Sequence, residues 1–105
     1  VGWLAMTVGV FEINYGSDLE FDIPWPDGAG GVVDLTDWTV SLLDVTSEIS
    51  ALTTAVKSAT PTDGKITVRV EWSADLLKNT PYNFRVKISK DGDDQSTNLM
   101  RVVYK

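Results

Sequence analysis

The residues of this 105-residue chain best suited to chemistry are its fifteen carboxylates, its four tryptophans and one glycine-rich loop. Asp91-Gly-Asp-Asp94 sets three carboxylates in four positions, a composition that a hard cation such as calcium uses when several oxygens converge in one loop. Its glycine stands second rather than sixth and no glutamate closes the loop, so the segment reads as a hairpin turn. A glycosidase needs a pair of carboxylates, yet no spacing singles out two of them. Asp18, Glu20 and Asp22 alternate with Leu19, Phe21 and Ile23 and read as the wet face of a strand. Gly28-Ala-Gly-Gly31 lacks the spacing and the lysine of a phosphate-cradling loop. With no histidine and no cysteine, the serines lack an imidazole base, and thiol nucleophiles, disulfides and zinc sites of the Cys or His type are excluded. The expectation is a protein that is not an enzyme and needs no cofactor or metal.

Trp25 is the one aromatic that periodicity does not assign to a core. It sits between Pro24 and Pro26, in a segment to Gly31 with two prolines and three glycines, where neither ladder pairing nor packing is favoured. Exposed there, with Asp27 and Asp34 beside it, its ring would be a platform for a partner surface or, with Tyr15, for sugar rings. Folded back, it would cover an open end of the domain. Trp3 and Leu4 also fall outside the strand pattern. They belong either to an arm that docks on a neighbouring chain or to an upstream extension, if Met6 is the natural start.

The elements that must position these residues are strands. Val8 to Asn14 is apolar-rich, and Tyr15-Gly-Ser17 between it and Asp18–Ile23 predicts a hairpin. Ile66, Val68, Val70 and Trp72 alternate with polar residues behind Thr62-Asp-Gly-Lys65, a turn signature. Tyr82, Phe84, Val86 and Ile88 do the same ahead of Asp91-Gly92. Trp38 to Val45 is a strand with apolar residues on both parities, and Asn98 to Tyr104 is the last. Thr46 to Ser58 is ambiguous: Val45, Ile49, Leu52 and Val56 form a helical stripe, whereas Thr53, Thr54 and Val56 favour a strand paired with 66–72. Ser73 to Lys78 predicts a short helical turn, cut off by Pro81.

About seven strands joined by Gly, Pro and Asp turns predict an all-β fold, a two-sheet antiparallel β-sandwich of immunoglobulin-like type with one short helical turn near residues 73–78. Residues 1–7 form an N-terminal extension or arm and residues 8–105 a single domain, the size expected of one core. Nine basic residues leave a net charge of −6, which lacks the cationic footprint that nucleic acid or anionic lipid demands. No run approaches the roughly 18 apolar residues of a membrane span, and Val1–Met6 is too short and uncharged to read as a signal peptide.

The landmarks also follow a known order. Ile13-Asn-Tyr-Gly-Ser-Asp-Leu-Glu-Phe21, Asp27-Gly28, Val33-Asp-Leu-Thr-Asp-Trp-Thr-Val40, Asp63-Gly-Lys-Ile-Thr-Val-Arg-Val70, Ser73-Ala-Asp-Leu-Leu77 and Tyr82-Asn-Phe-Arg-Val86 come before a final short strand. Together they resemble small tailed-phage virion proteins, in particular the immunoglobulin-like N-terminal domain of phage baseplate upper proteins. The resemblance spans Val10 to Tyr104. Lys78-Asn-Thr-Pro81 departs from it where a glycine is usual, and so does Asn83-Phe-Arg85 where an acidic segment is common. It implies a structural protein located in the virion, a tail or baseplate adaptor or a capsid decoration. Such a protein would contact other virion subunits in many symmetric copies, with Trp3, Leu4, Trp25 and Asp27 as contact residues and the edge strands Val8–Asn14 and Asn98–Tyr104 open to neighbours. A carbohydrate-binding module that recognises host-surface glycans through Trp25 is the alternative.

Overall fold

The computed structural model describes residues 9–105. Eight strands occupy about half of that span: β1 (Val10–Ile13), β2 (Leu19–Pro24), β3 (Thr39–Leu43), β4 (Thr53–Lys57), β5 (Lys65–Val70), β6 (Pro81–Lys90), β7 (Asp93–Ser96) and β8 (Met100–Tyr104). One sheet has the order β1-β8-β6-β3, with β7 also paired to β6, and the other has the order β2-β5-β4. Within this all-β sandwich, β2-β5-β4 and β3-β6-β8 reproduce the two central strand triplets of an immunoglobulin-type fold. The alternation seen in the sequence builds the core between the sheets. Ile66, Val68 and Val70 of β5 and Tyr82, Phe84, Val86 and Ile88 of β6 are buried, and the residues between them face outward.

The first two strands do not form the expected hairpin. β1 runs parallel to β8, with Val10 opposite Arg101, while β2 pairs antiparallel with β5, with Leu19 opposite Val70. Tyr15 to Ser17 therefore carries the chain from one sheet to the other. The two strands meet through their side chains: the rings of Phe11 and Phe21 stack with centroids 4.5 Å apart. Both strands bury an apolar face, and crossing between sheets lets both faces share one core, which a two-stranded ribbon cannot do.

The terminal strand also differs from expectation. β8 lies between β1 and β6, so its backbone is paired on both sides and Asn98–Tyr104 is no edge. β7 and β8 are two parts of one strand, interrupted at Thr97. There the Thr97 N–H donates to the Val86 carbonyl at 2.9 Å, and the Val86 N–H donates to Thr97 Oγ1 at 3.1 Å. A buried hydroxyl thus stands in for a ladder carbonyl, and the chain bends without orphaning a donor.

Two local ambiguities resolve. Ser47–Ile49 is a single 3₁₀ turn that buries Ile49, and β4 begins at Thr53, whose hydroxyl donates to the Ile49 carbonyl at 2.8 Å. Helix and strand readings of 46–58 thus each hold over part of the segment. The helical turn expected near 73–78 is reduced to one hydrogen-bonded turn, Leu76 N–H to Ser73 carbonyl at 3.0 Å. Beyond it Lys78 makes a bridge with Tyr104, and this pulls the backbone out of helical geometry. Helical geometry appears instead at Pro61–Asp63, before Gly64.

Candidate functional site

Trp25 lies at the end of β2, where the chain leaves the sheet. Its N–H donates to the Gly64 carbonyl at 2.8 Å, and its carbonyl accepts from Val33 N–H at 2.9 Å. The two arms of the Pro24–Gly31 loop are further tied by Asp27 N–H to the Gly31 carbonyl, so the loop closes like a small hairpin. Held this way, Trp25 is fully buried, and its indole N–H donates to Gln95 Oε1 at 2.9 Å. Of the two readings of Trp25, the structure takes the one in which the ring folds back over an open end of the domain, and its place as an exposed contact residue is corrected. Covering an otherwise open end of an apolar core outweighs exposure of so large a ring, and Gln95 satisfies its one polar atom.

Asp27 has an internal role. Its Oδ1 accepts the Ala29 and Gly31 backbone N–H groups at 2.7 and 3.1 Å, the local pattern that folds an Asx-type turn. Tyr15 is also engaged. Its hydroxyl donates to the Leu76 carbonyl at 2.9 Å, Trp72 meets it edge-on, and the Lys78 ammonium lies 5.2 Å from its centroid. Trp25, fully buried, offers no stacking face to a sugar, and Tyr15, 37% exposed, keeps only part of its ring open. Trp3 and Leu4 lie outside the described residues.

Several carboxylates are engaged singly, in turns and across strand pairs. Hydrogen bonds from the Thr36 hydroxyl and N–H hold the Asp34 carboxyl below the usual carboxylate range. The Lys65 N–H and the Ser58 hydroxyl do the same for Asp63, and the Ser89 hydroxyl, with Lys87 nearby, does so for Asp94. Asp91 and Gly92 take positive φ of 50° and 84°, the two central positions of a tight hairpin between Lys90 and Asp93. Among the described residues no three carboxylates gather into a cation cage, and no helix is long and apolar enough to cross a membrane.

One exposed feature is not revealed by periodicity. β3 and β4 are the lateral strands of their two sheets, and among the described residues each pairs on one side only. Between them runs an open groove of about 510 Å³, lined by Trp38, Thr39 and Val40 on one side and by Ala55, Val56, Lys57, Ser58 and Pro61 on the other. Its only charged residue is Lys57, whose ammonium is bound by the Thr36 carbonyl at 3.1 Å. Val56 is 56% exposed. An apolar residue at an outward position of an edge strand was the available signal, but the partner wall is fourteen or more residues away in the chain. β1 and β2 are the opposite lateral strands of the two sheets, and Val10 of β1 is 59% exposed.

No protein-family model matches the chain, and no curated protein matches it in sequence.

Proposed function

We propose that this chain is a non-enzymatic assembly module of a tailed-phage virion, a tail or baseplate adaptor or a capsid decoration that acts through protein–protein contacts. The reading is carried by the order of landmarks from Val10 to Tyr104, which resembles such proteins and whose strands fold into a sandwich of the type the resemblance implies. The surface supports it. Lateral strands with one paired side can be extended by a neighbour, and a groove walled by two such strands joins apolar area to backbone donors and acceptors. An interface needs this combination, while a catalytic centre needs convergent titratable groups. In a symmetric particle a modest contact is repeated many times, so a small interface suffices.

The test is cryo-electron microscopy, with mass spectrometry, of particles purified from the phage that encodes the chain. The expected result is density for the sandwich in symmetric copies on a head, neck or tail. Its absence from intact particles, with the protein present free in the lysate, overturns the reading.

A further inference from the structure

We propose that the groove between β3 and β4 is the receptor for residues 1–8 of a second copy of this chain, which enter it as an added strand. This deepens the assembly reading and rests on it. Val-Gly-Trp-Leu-Ala-Met-Thr-Val, residues 1–8, carries no charge in a chain that is 23% charged, and it is apolar on both parities. A segment of that kind suits a strand whose two faces both meet apolar side chains, here those of Trp38 and Val40 from β3 and its approach and of Val56 from β4.

Electrostatics selects the same pair. Each copy bears a net charge of −6, so two copies repel except where acidic residues are lacking on both sides. The groove has no acid and a single lysine, and the segment has neither. Length fits as well: Ala55 to Ser58 spans about 13 Å at about 3.3 Å per residue, which Trp3 to Met6 matches. The large side chains Trp3, Leu4 and Met6 would then lie against Trp38, Val40 and Val56, and edge-strand backbone would supply the pairing.

Direction favours a neighbour over self-docking. The segment leads into β1, at one lateral side of its sheet, and the groove opens at the other side, beyond β8, β6 and β3. A donor on one side and a receptor on the opposite side make a head-to-tail contact, which propagates into a ring or a row.

Two full-length variants test this. W3D/L4D removes the donor and leaves the groove intact; Val56→Lys blocks the groove at an exposed position and leaves the donor. Sedimentation equilibrium is expected to show the wild type associating, each variant monomeric, and an equimolar mixture forming a one-to-one heterodimer. Equal melting temperatures show that both variants are folded. A monomeric wild type overturns the inference, as docking within one chain would produce. So does association that survives both substitutions, or a mixture no larger than its parts. These results concern self-association in solution, so a chain found in particles but monomeric alone sinks this inference and leaves the assembly reading standing. A self-associating chain missing from particles does the reverse.

Discussion

The indole N–H of Trp25 donates to Gln95 Oε1 at 2.9 Å across 70 positions of sequence, and this bond joins the end of β2 in one sheet to β7 in the other. It closes the end of the sandwich with the largest side chain of the core. Trp25→Ala is expected to cost about 3–5 kcal/mol through the cavity it leaves. Gln95→Ala strands the buried indole N–H, and about 1–3 kcal/mol should go with it. Urea titration followed by far-UV circular dichroism checks both. A Trp25→Ala protein as stable as the wild type would contradict the buried placement.

Thr97 isolates one hydrogen bond. Thr97→Val keeps the shape but removes the oxygen that receives the Val86 N–H, leaving a buried backbone donor without its partner. The expected loss is about 1–3 kcal/mol, with Thr97→Ser close to wild type because its hydroxyl remains. Amide hydrogen exchange should show Val86 losing protection in the valine variant alone.

Two glycines with positive φ should respond differently to the same substitution. At Gly64 (φ 67°) an added Cβ would stand 2.6 Å from Val32 Cβ and 2.8 Å from the Val33 carbonyl oxygen, so Gly64→Ala adds a clash with backbone to the conformational cost. At Gly92 (φ 84°) a Cβ meets nothing within 4 Å, and Gly92→Ala should cost only about 1–2 kcal/mol. Thermal melts of the two variants should rank Gly64→Ala clearly lower.

The pH dependence has a definite sign at both ends. Asp34, Asp63 and Asp94 are more acidic folded than unfolded, so their contribution is complete above the unfolded carboxyl value of about 3.9 and lost as pH falls through their lowered values. Desolvation first, then the nearby Asp18 charge, raises the Tyr104 phenol above its ordinary 10.0. Its contribution is complete below pH of about 10 and lost as pH rises through the folded value. Melting temperatures should therefore fall below about pH 4 and again above about pH 10. Tyr104→Phe is expected to flatten the alkaline fall.

What was legible in the sequence is what neighbours in the chain decide. Alternation along Ile66–Val70 and Tyr82–Ile88 fixed which side chains enter the core, because a strand turns successive residues to opposite faces whatever it pairs with. Asp91-Gly92 marked a tight turn because few residues other than such pairs tolerate two successive positive φ angles. Missing histidine and cysteine removed whole classes of chemistry before any fold was known. Contacts between distant segments decided the rest. β1 is parallel to β8 rather than hairpinned to β2, since pairing depends on which apolar face fills the remaining side of the core. Trp25 is buried because Gly64, Val33 and Gln95 converge on it, and none is its neighbour in sequence. The groove exists only because two sheets end side by side, and no periodicity along a single strand records where another sheet stops.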